Sequence, residues 1–239
     1  MDTAPEVGAD AKGRNPLDLE FSRIALELHD ASGSEQTIER ITEYARSAIG
    51  SEDAGVLLVH TRSRIETAAA TSATVAKAHA LQADLDEGPC LDALQVHDTV
   101  VRIDDAAQDE RWPRWCAALV DLGFRSVLSV PLATSDRLYG SVNLFAVRAD
   151  AFTVDDEAVA SILARHASVA LAASHDIEGL RKAIDARKLI GMAMGMLMER
   201  FSIDGDRAFQ VLRRYSQDHN VKLRDLAERV VSGGDLPSD

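Results

Sequence analysis

Residues Arg187–Val231 read RKLIGMAMGMLMERFSIDGDRAFQVLRRYSQDHNVKLRDLAERVV. Their apolar spacing decides the architecture of the chain's last quarter. Ile190, Met194, Leu197 and Met198 recur at helical intervals, so Arg187–Arg200 is expected to be a helix with one buried face. Gly191 and Gly195 interrupt it at a cost of roughly 1 kcal/mol each relative to alanine, which points to close approach by a neighbouring helix or a ligand backbone. The pattern breaks over Phe201–Gly205. Asp204 then offers an N-cap for a second helix with Ala208, Phe209, Leu212 and Tyr215 on one side, and Arg213 and Arg214 beside them. Asn220 offers a cap for a third, carrying Leu223, Leu226, Ala227 and Val230. Three helices joined by brief turns predict a small bundle.

The helical pattern extends upstream to Asp155. Val159, Ile162, Leu163, His166, Val169, Ala170, Ala173, Ile177, Leu180 and Ile184 stand near heptad spacing, and no Pro or Gly intervenes before Gly179. Parallel pairing of two such helices would make a homodimer and set two terminal bundles side by side. Alternatively, half of the stripe simply covers a sheet.

Before Asp155 the period changes. Helices are expected over Leu17–His29 and Ser34–Ile49, the latter closed by Gly50. Ala54–His60, Ile65–Ala70, Thr99–Ile103, Ser126–Leu132 and Leu138–Ala146 read as strands, with a hairpin through Asp136–Arg137. Ser72–Leu85 and Trp112–Leu122 read as helices between them. An antiparallel sheet flanked by helices, a long connecting helix and a terminal three-helix bundle define an α+β chain. Its expected segments are a disordered tail over 1–16, an α+β domain over 17–175, a connecting helix over 155–186, the bundle over 177–233 and a second tail over 234–239.

The 46% hydrophobic content suffices for packed cores. No apolar run approaches the roughly 18 residues of a membrane span, and no secretory leader opens the chain. Cys90 and Cys116 are too few for a disulfide framework, and the seven histidines are scattered without metal-site spacing. These features predict a cytoplasmic protein without membrane association, bound metal or cofactor. Net charge is −13, unfavourable for nucleic acid at first sight. Residues 177–239, however, hold 11 Lys/Arg against 10 Asp/Glu, leaving 15 and 29 of the chain's 26 and 39 to the first 176 residues. The acidity belongs to the front of the molecule.

Two resemblances are carried by these residues. Ile190, Ala193, Gly195, Met196–Leu197–Met198–Glu199–Arg200, Ala208–Phe209, Leu212–Arg213, Ser216, Asn220 and Leu223–Arg224–Asp225–Leu226–Ala227 resemble the ANTAR domain, an RNA-binding three-helix output module of transcription antitermination regulators. That family often has a lysine between the alanine and glycine of its Ala-Lys-Gly motif; Met194 stands there in this chain. Glu87–Leu94, Gly123–Ser126, Val130–Leu132 and Gly140–Phe145 resemble a GAF domain, a regulatory module that takes many different small ligands or redox signals. The resemblance implies a fold and leaves the ligand unknown.

The candidate RNA-binding residues are Arg187, Lys188, Arg200, Arg213, Arg214, Lys222 and Arg224. Arginine forks hold phosphate bidentately or stack on unpaired bases. Each can equally be a solvated surface charge, and Arg224 stands near Asp225 and Glu228. Ser216 and Asn220 are expected to order the turn. Met192 and Met196 lie on a different face from Met194 and Met198, which predicts a helix buried on two sides or plain core filling. Some GAF domains hold a bilin or haem tethered by cysteine, but Cys90 has no basic neighbour and reads as a small buried hydrophobe. Trp112, Trp115 and Cys116 read as core or pocket wall, and Asp104–Asp105 as a loop and cap. No phosphate loop or Ser-His-Asp arrangement points to an enzyme. The implied partners are hairpin loops in mRNA, a second copy of the chain and a small molecule in the GAF domain. A DNA-binding helix-turn-helix is the first alternative, although the last helix offers only Lys222, Arg224 and Arg229 against Asp225 and Glu228. A protein-binding bundle is the second.

Overall fold

The computed structural model describes residues 33–60, 64–92 and 99–233. The helix expected over Leu17–His29 and both terminal tails lie outside them. The chain divides into two compact units, Met1–His175 and Asp176–Asp239.

The first unit is built on five antiparallel strands: β1 (Asp53–Val59), β2 (Ile65–Ala70), β3 (Val101–Ile103), β4 (Ser126–Ala133) and β5 (Leu138–Ala146), in the order β2-β1-β5-β4-β3. Helix α1 (Ser34–Ile49) precedes the sheet and ends at Gly50, whose φ of 71° is left-handed. Helix α2 (Ala73–Leu85) follows β2, with the Ser72 hydroxyl accepting from the Val75 amide at 3.2 Å as its N-cap. The short α3 (Pro89–Asp92) and then α4 (Pro113–Asp121) complete that part. Alternation along the strands separates two cores. Ala54, Val56, Leu128, Val130, Val142 and Leu144 face α1, through Ile38, Ile41 and Ala45, and the first turns of helix α5 (Val154–Phe201), through Leu163, Ala167 and Leu171. On the opposite face Val127 and Phe145 meet α2 and α4 through Val75, Ala78, Trp115 and Leu119.

Helix α5 is continuous for 48 residues, so no break separates the expected connecting helix from the first helix of the bundle. Gly179, Gly191 and Gly195 are all inside it, and an interior glycine's cost of about 1 kcal/mol does not break the helix at any of them. Its apolar stripe splits. Ala160, Leu163, Ala164, Ala167 and Leu171 cover the sheet, whereas Ile162, Val169, Ile177, Leu180 and Ile184 are exposed.

In the second unit the end of α5 packs with α6 (Gly205–Asp218) and α7 (Leu223–Val231) around Ala193, Leu197, Ala208, Leu212, Leu226, Ala227 and Val230. The Asp204 carboxylate accepts from the Arg207 amide at 2.8 Å and caps α6 as expected. Asn220 does not cap α7. Its φ of 50° is left-handed, a conformation asparagine tolerates better than most residues, and Lys222 occupies the N-cap position without a side-chain bond. The Ser216 hydroxyl donates to the Val221 carbonyl at 2.7 Å and closes the same turn. Phe209, expected on the buried side of α6, is 39% exposed, because Ala208 and Leu212 already fill the contact.

Candidate functional site

Two places carry candidate functional side chains, one in each unit. In the first, period two along β4 and β5 puts Ser129, Ser141 and Asn143 on one face of the sheet, where three polar residues replace apolar ones. All three are buried. Asn143 pairs with Gly55 across β1, and a side chain at Gly55 would meet His79 Cε1 at 2.6 Å and Val75 Cγ1 at 2.7 Å. The bare glycine therefore makes room for the imidazole of His79 to lie on the sheet. There His79 Nε2 sits 3.2 Å from Asn143 Nδ2. The amide nitrogen can only donate, so Nε2 accepts and the ring proton resides on Nδ1. That Nδ1 is buried without a hydrogen-bond partner among the described residues.

The ladder continues from Asn143 to Ser141 and Cys90. The Ser141 and Cys90 side chains are 2.9 Å apart, and the thiol donates to Asn143 Oδ1 at 3.6 Å. Gln82 on α2 closes it, accepting from the Cys90 amide at 3.0 Å. Its side chain passes under Gly88, where φ is 138° and a Cβ would fall on the Gln82 amide. Burial sets the electrostatics. It lowers the His79 pKa from 6.5 to about 3, keeping the ring neutral, and pushes the Cys90 thiol up. A neutral, buried thiol is a poor nucleophile, which fits the packed role expected for Cys90. Cys116 is likewise raised, to about 11, chiefly by burial.

Around this ladder the charged residues act as clamps. Glu87 accepts from the amides of Arg114 and Trp115 at 2.8 and 3.1 Å and from the Arg114 guanidinium at 2.7 Å, which holds its carboxyl below the usual range and anchors the start of α4. Asp105 takes both arms of Arg125 at 2.7 and 2.6 Å and accepts from the Ala107 amide at 3.0 Å. The acidic pair Asp104–Asp105 is thus a loop clamp. Trp115 is fully buried and donates to the Ala78 carbonyl at 2.9 Å; Trp112 donates to Asp92 at 3.1 Å. Sequence reasoning missed His79, Gln82, Ser129, Ser141 and Asn143 as a set. The one available signal was a run of small polar residues at period two inside otherwise apolar strands.

In the second unit all seven basic candidates are exposed. They do not form a single patch. Arg200 borders a groove of about 450 Å³ with Met196, Leu197, Glu199, Val230 and Gly233, at the C-terminal end of α7. Lys222 and Arg224 stand at the opposite end of that helix. Arg187 and Lys188 lie about 20 Å along α5 from Arg200, at 1.5 Å per residue. Arg213 and Arg214 are adjacent on α6, and Arg214 reaches Asp218 at 3.4 Å in an exposed pair that contributes little. Arg224 makes no ion pair with Asp225 or Glu228 among the described residues. Met194, in the position where the ANTAR pattern often has lysine, is half-buried against the bundle core. Met192 and Met196 are 47% and 41% exposed, so their face is not covered by the described residues of this chain. A Cβ at Gly191 or Gly195 would meet nothing within 4 Å; the close approach those glycines suggested is not made among the described residues.

Among the described residues no helix is long and apolar enough to cross a membrane. A family model for the GAF domain matches residues 31–172, and one for the ANTAR domain matches residues 178–231. No curated protein matches the chain. Among solved structures it is similar to a bacteriophytochrome from the photosynthetic bacterium R. palustris, at 12% identity and a TM-score of 0.56 over 79% of this chain and 43% of that one. It is similar to the phytochrome photosensory core module of Stigmatella aurantiaca, at 14% and 0.56 over 85% and 46%. The GAF domain of the Acinetobacter phosphoenolpyruvate-protein phosphotransferase aligns at 16% and 0.52, over 70% of this chain and 99% of that one. At these identities the likeness is one of fold, and the chain spans less than half the length of either phytochrome.

Proposed function

We propose that this chain, which belongs to the GAF domain family and carries an ANTAR domain behind it, is a signal-responsive antitermination regulator whose terminal bundle binds hairpin loops in nascent mRNA. GAF and ANTAR domains are regulatory domains, so the chain is a sensory regulator of transcript elongation at the family level. The finer reading is that Arg187, Lys188, Arg200, Arg213, Arg214, Lys222 and Arg224 supply the phosphate and base contacts, that the protein acts in the cytoplasm, and that it is not an enzyme. The observation that carries it is the coincidence of the ANTAR match with a helical unit whose basic residues all face solvent.

Dimerisation belongs to the same proposal. Ile177, Leu180 and Ile184 are 51%, 64% and 57% exposed at three-and-four spacing. Gly191 stands seven residues beyond Ile184 with open space where its side chain would be. A second copy pairing along this stripe would bury the isoleucines and leucine and bring backbones close at the glycine. The buried ladder around His79 is where a small ligand would bias the sensor, since its Nδ1–H lacks an acceptor among the described residues.

The test is binding of the full chain to a tandem-hairpin leader RNA, against duplex DNA of equal length, at two salt concentrations. Preference for RNA is expected. Arg213→Ala/Arg214→Ala should weaken it and lower the salt slope by about 1.4, at roughly 0.7 per phosphate contact on unpaired strands. Equal affinity for duplex DNA, or no RNA binding at low salt, would refute the proposal.

A further inference from the structure

The end of α6 carries an arrangement that the basic residues do not explain. Tyr215 and His219 stand one helical turn apart with rings parallel to within 6° and centroids 5.5 Å apart. Tyr215 is half-buried and packed against the bundle core, whereas His219 is exposed. The histidine is held twice. Its backbone amide donates to the Tyr215 carbonyl at 3.1 Å, and its ring Nδ1 lies 3.1 Å from the same oxygen. Because that carbonyl can only accept, Nδ1 carries the proton and the ring is fixed in both rotamer and tautomer. One ring is therefore anchored in the core, and the second is stacked on it with an outer surface open to solvent.

An aromatic pair at this spacing can serve helix stability alone. Its surroundings favour more. His219 is the residue that follows the last turn of α6, and the chain then reverses through Asn220 to place Lys222 three residues on. Arg214 precedes Tyr215 directly. Arg214 reaches Asp218 at 3.4 Å in an exposed, weak pair from which a phosphate can draw it. An exposed flat ring with Arg214 five residues before it and Lys222 three residues after it is the chemistry that holds an unpaired base: the ring takes the π-face and the cations take the phosphates.

We propose that the Tyr215–His219 stack is a platform for one unpaired base of the bound RNA loop, with His219 as the contacting ring and Tyr215 as its support. The proposal rests on the RNA-binding reading above. Arg214 and Lys222 flank the sugar-phosphate of the stacked nucleotide, and stacking is tolerant of base identity because every base presents a π-face.

The experiment compares full-length wild type, His219→Ala, His219→Phe and Arg213→Ala/Arg214→Ala for binding to the tandem-hairpin RNA, with 2-aminopurine placed in turn at each loop position. Thermal melting followed by circular dichroism accompanies each variant. His219→Ala should lose about 5- to 150-fold in affinity, the range for one stacked base, together with the quenching of 2-aminopurine at one position. His219→Phe should restore both. If His219→Ala binds and quenches as wild type does while the arginine variant is weakened, the platform is refuted and the RNA reading stands. Loss of affinity in both His219 variants with a lowered melting temperature would assign the pair to helix stability and overturn the proposal. If wild type binds no hairpin RNA, the platform and the RNA reading fall together.

Discussion

Replacing His79 by glutamine should remove a large part of the sensor's sensitivity to mild acid. In the folded protein burial lowers the His79 pKa from its ordinary 6.5 to about 3. The unfolded chain takes up the proton near pH 6.5, and the folded chain takes it up only near pH 3. The stability that the neutral ring represents is thus complete above pH 6.5 and lost as pH falls towards 3. Linkage gives about 2 kcal/mol lost between pH 7 and pH 5 from this one group. That window lies above the range in which unfolded carboxylates titrate, so Glu87, Asp105 and Asp109, all held low by arginine, add little to it. Both tryptophans, Trp112 and Trp115, lie in the first unit, so their emission follows urea unfolding of the sensor alone. The wild-type midpoint should fall by roughly 1 M more between pH 7 and pH 5 than that of His79→Gln, whose amide keeps a partner for Asn143. The glutamine variant will start less stable; the measured quantity is the slope with pH. Parallel slopes in the two proteins, or an imidazole resonance of His79 titrating near 6.5 in the folded state, would refute the burial argument.

Two other outcomes follow from the packing. Leu180→Glu/Ile184→Glu puts carboxylates into the exposed stripe of α5, and light scattering should show wild type at twice the 25.8 kDa chain mass and the variant at that mass; a monomeric wild type would remove the dimer proposal. Leu212→Ala empties a fully buried position at the centre of the bundle at a cost of about 2–5 kcal/mol, which should lower helical content and RNA binding while tryptophan emission stays unchanged; an unaltered helical signal would show that the bundle does not depend on this side chain.

The fold was legible because its elements keep a clean period. Ile65–Ala70 and Leu138–Ala146 coincide with the expected strands, and Ser34–Ile49 with the expected helix down to the glycine that closes it. Failures cluster where local chemistry competes with packing. Asn220 has the side chain of a cap, but the chain must reverse there and uses its tolerance of the left-handed region instead. Phe209 shares the helical phase of Leu212, yet three short helices enclose too little volume to bury every apolar residue near the contact face. The connecting helix expected over 155–186 and the bundle helix expected over Arg187–Arg200 are one uninterrupted helix that carries two phases of apolar residues, one facing the sheet and one facing the bundle. Periodicity shows that each phase exists and is silent on whether the backbone stops between them.

The buried ladder was harder to read for a different reason. His79, Gln82, Cys90, Ser141 and Asn143 come from two helices and one strand, and each alone resembles an ordinary polar residue among apolar neighbours. Only strand register joins them: Asn143 is opposite Gly55, the glycine admits the imidazole, and the imidazole turns the Asn143 amide so that its oxygen faces Cys90. Each step depends on a contact between residues distant in the chain, from Gly55 and His79 to Gly55 and Asn143, and composition carries no trace of it. The consequence is energetic as well as geometric. A buried neutral histidine with one unpartnered nitrogen costs the fold stability that an apolar side chain would not, on the order of 1–3 kcal/mol for the missing bond. A sensor can sustain that cost if an acceptor delivered by a ligand removes it, because the ligand then stabilises one state of the domain by the same amount that its absence destabilises it. On the proposed reading, a ligand bound at the ladder would couple its binding to the domain's conformation through the single hydrogen bond that His79 Nδ1 lacks.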